Sequence, residues 1–114
     1  MITAIDHIVL TAQDMDKTIY FYCEILGMTL QRFSPPDGSA DRLAVLFGQQ
    51  KINLHDASSP YIPHARCPVA GAGDICLLSD VTVENWCKRF EEFSVSIENG
   101  PVAKTGAIGP LWSI

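Results

Sequence analysis

The chain has 114 residues, 47% of them hydrophobic and 18% charged, the length and balance of a domain that builds its own core, not of a disordered or collagen-like chain. Eight Lys and Arg against thirteen Asp and Glu give a net charge of −5 with no basic stripe, which argues against nucleic acid and anionic membranes as partners. No apolar run approaches the roughly 18–20 residues of a membrane span, and residues 1–7 lack the regions of a secretory signal, so the cytoplasm is the expected compartment.

Residues 4–11, Ala-Ile-Asp-His-Ile-Val-Leu-Thr, are aliphatic and β-branched and predict a strand. Asp14 then caps a helix reaching Leu26, whose apolar residues Met15, Ile19, Tyr22, Ile25 and Leu26 recur at helical spacing before Gly27 stops it. Residues 28–33 read as a strand, and Pro35, Pro36, Asp37 and Gly38 make 34–41 a loop. Residues 42–47 and 51–56 pair as a hairpin across Gly48, giving a βαβββ module over residues 1–56.

Residues 57–72, with Pro60, Pro63 and Pro68, form a linker. The pattern then restarts over 73–114. Residues 73–78 predict a strand, Thr82 caps a helix carrying Val83, Trp86, Cys87, Phe90 and Phe93, and 95–98 predict a short strand ended by Gly100-Pro101. The halves match at an offset of 67, which pairs Ile8 with Ile75, Ile19 with Trp86 and Leu26 with Phe93 and suggests an internal duplication. At that offset residue 114 falls on residue 47, so the second module is expected to stop before its last strand, with residues 106–114 leading into a strand that has barely begun.

Cys23, Cys67, Cys76 and Cys87 form no C-x-x-C pair and read as small hydrophobes in a reducing compartment, Cys67 being the exposed one. No phosphate-binding, nucleophile-elbow or H-E-x-x-H motif is present. Among the histidines, His7 shares a strand face with Val9, His55 shares one with Asn53, and His64 falls in the linker. Asp74 occupies the position of His7 in the second half. An ionisable group at the same strand position in both halves suggests a shared partner such as a metal.

Ile5-Asp6-His7-Ile8-Val9-Leu10, Asp14-Met15, Phe21-Tyr22 and Leu26-Gly27-Met28 resemble the opening of the vicinal oxygen chelate superfamily, which includes glyoxalase I, bleomycin-resistance proteins and extradiol dioxygenases. Phe47 to His55 and Gly100 to Pro110 resemble most closely the glyoxalase domain-containing protein 5 group. The resemblance implies an α+β fold of tandem βαβββ modules, forming a curled mixed sheet around a cleft. It implies a divalent metal ion (Zn, Ni, Co, Mn or Fe) that chelates paired oxygens of a small-molecule substrate. Its ligands come from the first and last strands of the modules: His7, then Asn53 or His55, with imidazole the better donor, and Asp74, where many members carry His. The fourth ligand, a glutamate, would lie beyond Ile114, and no catalytic residue is assigned. The reading is a metal-dependent enzyme of the glyoxalase or dioxygenase type, with homodimer formation through unpaired strand edges. The alternative is a metal-free protein that sequesters a small-molecule ligand in the manner of bleomycin resistance.

Overall fold

Alternation along the first apolar segment produces strand β1 (His7–Ala12), with Ile8, Leu10 and Ala12 on one face and His7, Val9 and Thr11 on the other. The computed structural model describes residues 1–114, in two compact units of residues 1–75 and 76–114. The architecture is α+β, with a four-stranded mixed sheet, a two-stranded hairpin and two helical segments. No helix is long and apolar enough to cross a membrane.

In the first unit Asp14 caps helix α1 (Met15–Ile19), its side chain accepting from the Lys17 amide at 3.0 Å. The expected single α-helix instead widens into a π-helix over Tyr20–Ile25, closed by a hydrogen bond from the Leu26 amide to the Phe21 carbonyl. Gly27 follows at φ +79°, the left-handed geometry that ends a helix and favours glycine. The chain continues as β2 (Thr29–Phe33), β3 (Arg42–Phe47) and β4 (Gln50–Asp56). Phe47 pairs with Gln50 across a two-residue turn, and Gly48 at φ +52° opens it.

The strand order is β1-β4-β3-β2. Strand β4 inserts between β1, which it pairs in parallel, and β3, which it pairs antiparallel. On one face Val45, Ile52 and Leu54 are buried, with Met15, Ile19, Tyr22 and Cys23 of the helical segment packed against them. Each fully buried aliphatic side chain of this kind contributes roughly 1.5–3 kcal/mol. That packing commits the helix to one face and leaves the other face open.

The second unit contains helix α2 (Val83–Glu92) and a hairpin of β5 (Val102–Thr105) and β6 (Pro110–Ser113). Thr82 caps α2 by accepting from the Asn85 amide. Three expectations are corrected here. Residues 73–78 form no strand. In the first unit the corresponding strand is held only by β4, and no strand pairs with residues 73–78. The short strand expected at 95–98 is absent, and its hairpin role is taken by β5, seven residues later. Residues 110–113, expected as a strand barely begun, form β6 in full register with β5. No residue of this unit is buried. All four cysteines are free, and Cys76 is exposed along with Cys67 because its segment joins no sheet.

Candidate functional site

Register assembles the open face of the first unit's sheet. The cross-strand partners bring His7 beside Lys51, Val9 beside Asn53 and Thr11 beside His55, while β3 sets Ala44 opposite Asn53. Strand β2 adds Gln31 opposite Ala44 and Phe33 opposite Arg42. A cavity of about 510 Å³ lies over this face, lined by His7, Val9, Gln31, Arg32, Phe33, Arg42, Ala44, Lys51, Asn53, His55, Tyr61 and Pro63.

The loop after β4 completes its wall with Tyr61 and Pro63, and the β2–β3 loop braces the strands beside it. The β2–β3 connection is held by Asp41, which accepts from Arg32 at 3.1 Å and from the Ser34 hydroxyl at 2.7 Å. These bonds hold the Asp41 carboxyl below its usual range and fix the entry to β3, where Arg42 sits. After β4, Asp56 accepts from the Ser58 amide at 2.8 Å and from its hydroxyl at 2.6 Å, while the Ala57 amide donates to the Ala12 carbonyl at 2.9 Å. The turned chain carries Tyr61 over the sheet. Its ring lies 4.0 Å from the His55 imidazole, centroid to centroid, and the Arg42 guanidinium lies 4.5 Å from the Tyr61 ring.

His55 is the chemically unusual member. It is 2% exposed, the one buried polar residue of the chain, and its Nδ1 has no hydrogen-bond partner. A buried polar atom left unsatisfied costs about 1–3 kcal/mol. Burial pushes the imidazole below its ordinary pKa, and the neighbouring His64 and Arg42 push it the same way, which favours the neutral ring. His7 differs. Its side chain is 44% exposed, and its Nδ1 bonds the Asp6 carboxylate at 2.6 Å. That bond is the main reason the Asp6 carboxyl sits below its usual range. A carboxylate on Nδ1 leaves Nε2 as the nitrogen facing away from Asp6, an arrangement common behind metal-bound histidines.

The structure therefore brings His7, Asn53 and His55 to one wall. Asn53 and His55 share this face, so both alternatives for the last-strand donor line the cavity. Asp74 is exposed and outside the lining, and no three His, Cys, Asp or Glu side chains are gathered closely enough to hold an ion. His64 is exposed, its ring bonded to the Ala65 carbonyl at 2.7 Å. Sequence reasoning missed Arg42 and Tyr61. Arg42 was recoverable, because counting outward from the Gly48-Gln49 turn places it opposite His55. Nothing in the linker's composition singled out Tyr61.

Comparison with known proteins places the fold in one superfamily. The model of the Glyoxalase/Bleomycin resistance protein/Dioxygenase superfamily matches residues 4–107. The chain is 39% identical over 113 residues to glyoxalase domain-containing protein RDO1 of Mycosarcoma maydis, covering 99% of this chain but 61% of that protein. It is 38% identical over 114 residues to virulence protein STM3117 of Salmonella typhimurium, covering the whole chain and 76% of that protein. The crystal structure of STM3117 superposes with a TM-score of 0.86 at 36% identity, over 98% of this chain and 85% of that one. An integron cassette protein of V. cholerae superposes with a TM-score of 0.83 at 38% identity, over 96% of this chain and 82% of that one.

Proposed function

Because the chain belongs to the Glyoxalase/Bleomycin resistance protein/Dioxygenase superfamily, we propose that it is a divalent-metal-dependent enzyme acting on a small molecule in the cavity over its four-stranded sheet, with His7 and His55 as metal donors. The observation that carries this reading is the buried, unpartnered Nδ1 of His55 on the same wall as His7. A neutral buried imidazole with a free lone pair suits a metal ligand, and so does an imidazole whose other nitrogen is fixed by Asp6. Such an ion, when bound, polarises paired oxygens of its ligand as a Lewis acid. The chain's own residues do the rest. Asp6 orients His7, Tyr61 covers His55 from solvent, and Asn53 offers an amide to a bound oxygen. Asp74, exposed and outside the lining, is the third donor this reading expects. The same reading takes the protein as a cytoplasmic homodimer of the glyoxalase domain-containing protein 5 type, using Zn, Ni, Co, Mn or Fe.

Elemental analysis tests it. Protein purified without chelator is expected to hold close to one divalent ion per chain, lost on EDTA treatment and lost in His7→Ala with the circular dichroism unchanged. Absence of the ion from the wild type, or its full retention in both His7→Ala and His55→Gln, overturns the reading. A second reading, metal-free sequestration of a ligand, is favoured by the fact that only two of the three expected donors line the cavity. It predicts ligand affinity indifferent to EDTA.

A further inference from the structure

The cavity wall inverts the charge of the chain. Three of the eight Lys and Arg line it, Arg32, Arg42 and Lys51, and none of the thirteen Asp and Glu does. Arg32 is committed to Asp41. Arg42 and Lys51 make no ion pair, and the acids whose charge they feel are bonded elsewhere, Asp6 to His7 and Asp37 to Ser39. Cations gathered in a concave site without an acid in its wall focus their field into it and raise the local concentration of anions.

Register fixes the spacing of the two charges. Lys51 stands in the row of His7 and Arg42 in the row of His55, one strand over and two rows along. The Cα separation implied by sheet geometry is about 14 Å, so the two charges stand toward opposite ends of the wall, with Arg42 directly across the ladder from Phe33. Between and beside them the wall is apolar. Ala44 lies in the intervening row, and Phe33 and Val9 remain 53% and 43% exposed despite being large hydrophobic side chains. The buried, unpartnered His55 Nδ1 on the same wall independently marks a place where a ligand belongs.

We propose that the cavity takes a small carboxylate carried on a flat apolar body, with its oxygens held by Arg42, its body laid against the neighbouring Phe33, and Lys51 adding to the positive field of the wall. The assignment rests on reading this cavity as a ligand site, and it does not need the ion. Arg42 supplies the planar fork that matches a carboxylate, pre-oriented by its packing on Tyr61.

Benzoate and benzamide, equal in shape and different in charge, are suitable probes. Each is titrated into EDTA-treated full chain and followed by backbone amide shifts in NMR. Benzoate is expected to shift the residues of this wall saturably and to bind at least tenfold more tightly than benzamide. Arg42→Met is expected to remove that preference and Lys51→Met to reduce it, with the benzamide affinity unchanged in both. Equal affinity for the two probes, an unaltered preference in Arg42→Met, or no saturable shift on this wall at the solubility limit overturns the proposal. The metal reading is judged separately, by ion content. Benzoate selectivity in an ion-free protein thus sustains the anion site while the metal assignment fails, and an ion-holding protein blind to benzoate does the reverse.

Discussion

Helix α2, at the offset of 67, falls on residues 16–25 of the first unit, and the two helical segments end alike. Gly27 stands at φ +79° and its counterpart Ser94 at φ +56°. After α2 the Val95 amide reaches back to the Phe90 carbonyl at 2.8 Å and the Ser94 amide to the Glu91 carbonyl at 3.1 Å, a Schellman closure. Only the first unit, however, buries residues in a core. The difference is two strands, four against two. In the first unit β4 lies inside the sheet and holds both β1 and β3, whereas the second unit has a hairpin alone. Local sequence signals make helices and caps wherever they occur, but a helix face is buried only where a sheet is wide enough to cover it.

The largest expected effect lies in that contrast. Ile52→Ala removes a fully buried side chain between β1 and β3 and is expected to cost about 2–5 kcal/mol in urea denaturation. Leu111→Ala in β6, only partly buried, is expected to cost less than half as much. Comparable costs would mean that the second unit also relies on a packed core.

The pH dependence comes next. The folded-state pKa of His55 lies below its ordinary value near 6.5, chiefly through burial. The unfolded chain therefore binds the proton more readily, and stability falls as the pH drops below about 6.5, levelling once the folded-state pKa is passed. Arg42 and His64 are the charges that reinforce the effect. Denaturation curves for wild type and His55→Gln, compared across that window, are expected to show a slope in the wild type that the variant lacks. Equal slopes would move the effect to other groups.

The smallest effects are at the helix ends. Gly27→Ala places a side chain at positive φ and is expected to cost about 1 kcal/mol, while Ser94→Gly relieves the same strain and is expected to gain about 0.5–1 kcal/mol. Changes of the same sign at both positions would break the equivalence of the two caps.

Much of the first unit was legible in the sequence because its signals are local. Asp14 announces a helix start by side-chain capping, as Thr82 does in the second unit, Gly27 a helix end, and alternation in residues 42–56 a hairpin centred on Gly48. The α-to-π transition at Tyr20 was not legible, since apolar spacing of three and four is compatible with both ladders. The second unit misled for a related reason. Residues 73–78 and 95–98 carry the apolar composition of strands, but a strand exists only when a neighbour accepts its hydrogen bonds.

Sequence by itself determined the helix positions and caps, the β3–β4 hairpin with its face alternation, and hence that Asn53 and His55 share a side. Tertiary structure alone decided that β4 inserts beside β1, which sets His7 and His55 on one wall of the cavity and leaves Asp74 off it. It also folded Tyr61 back onto His55 and left the imidazole Nδ1 buried without a partner. The physical reason is the range of the interactions. A cap or a turn is written within a few residues, whereas strand order and burial depend on partners some forty residues away, which only the assembled sheet brings together.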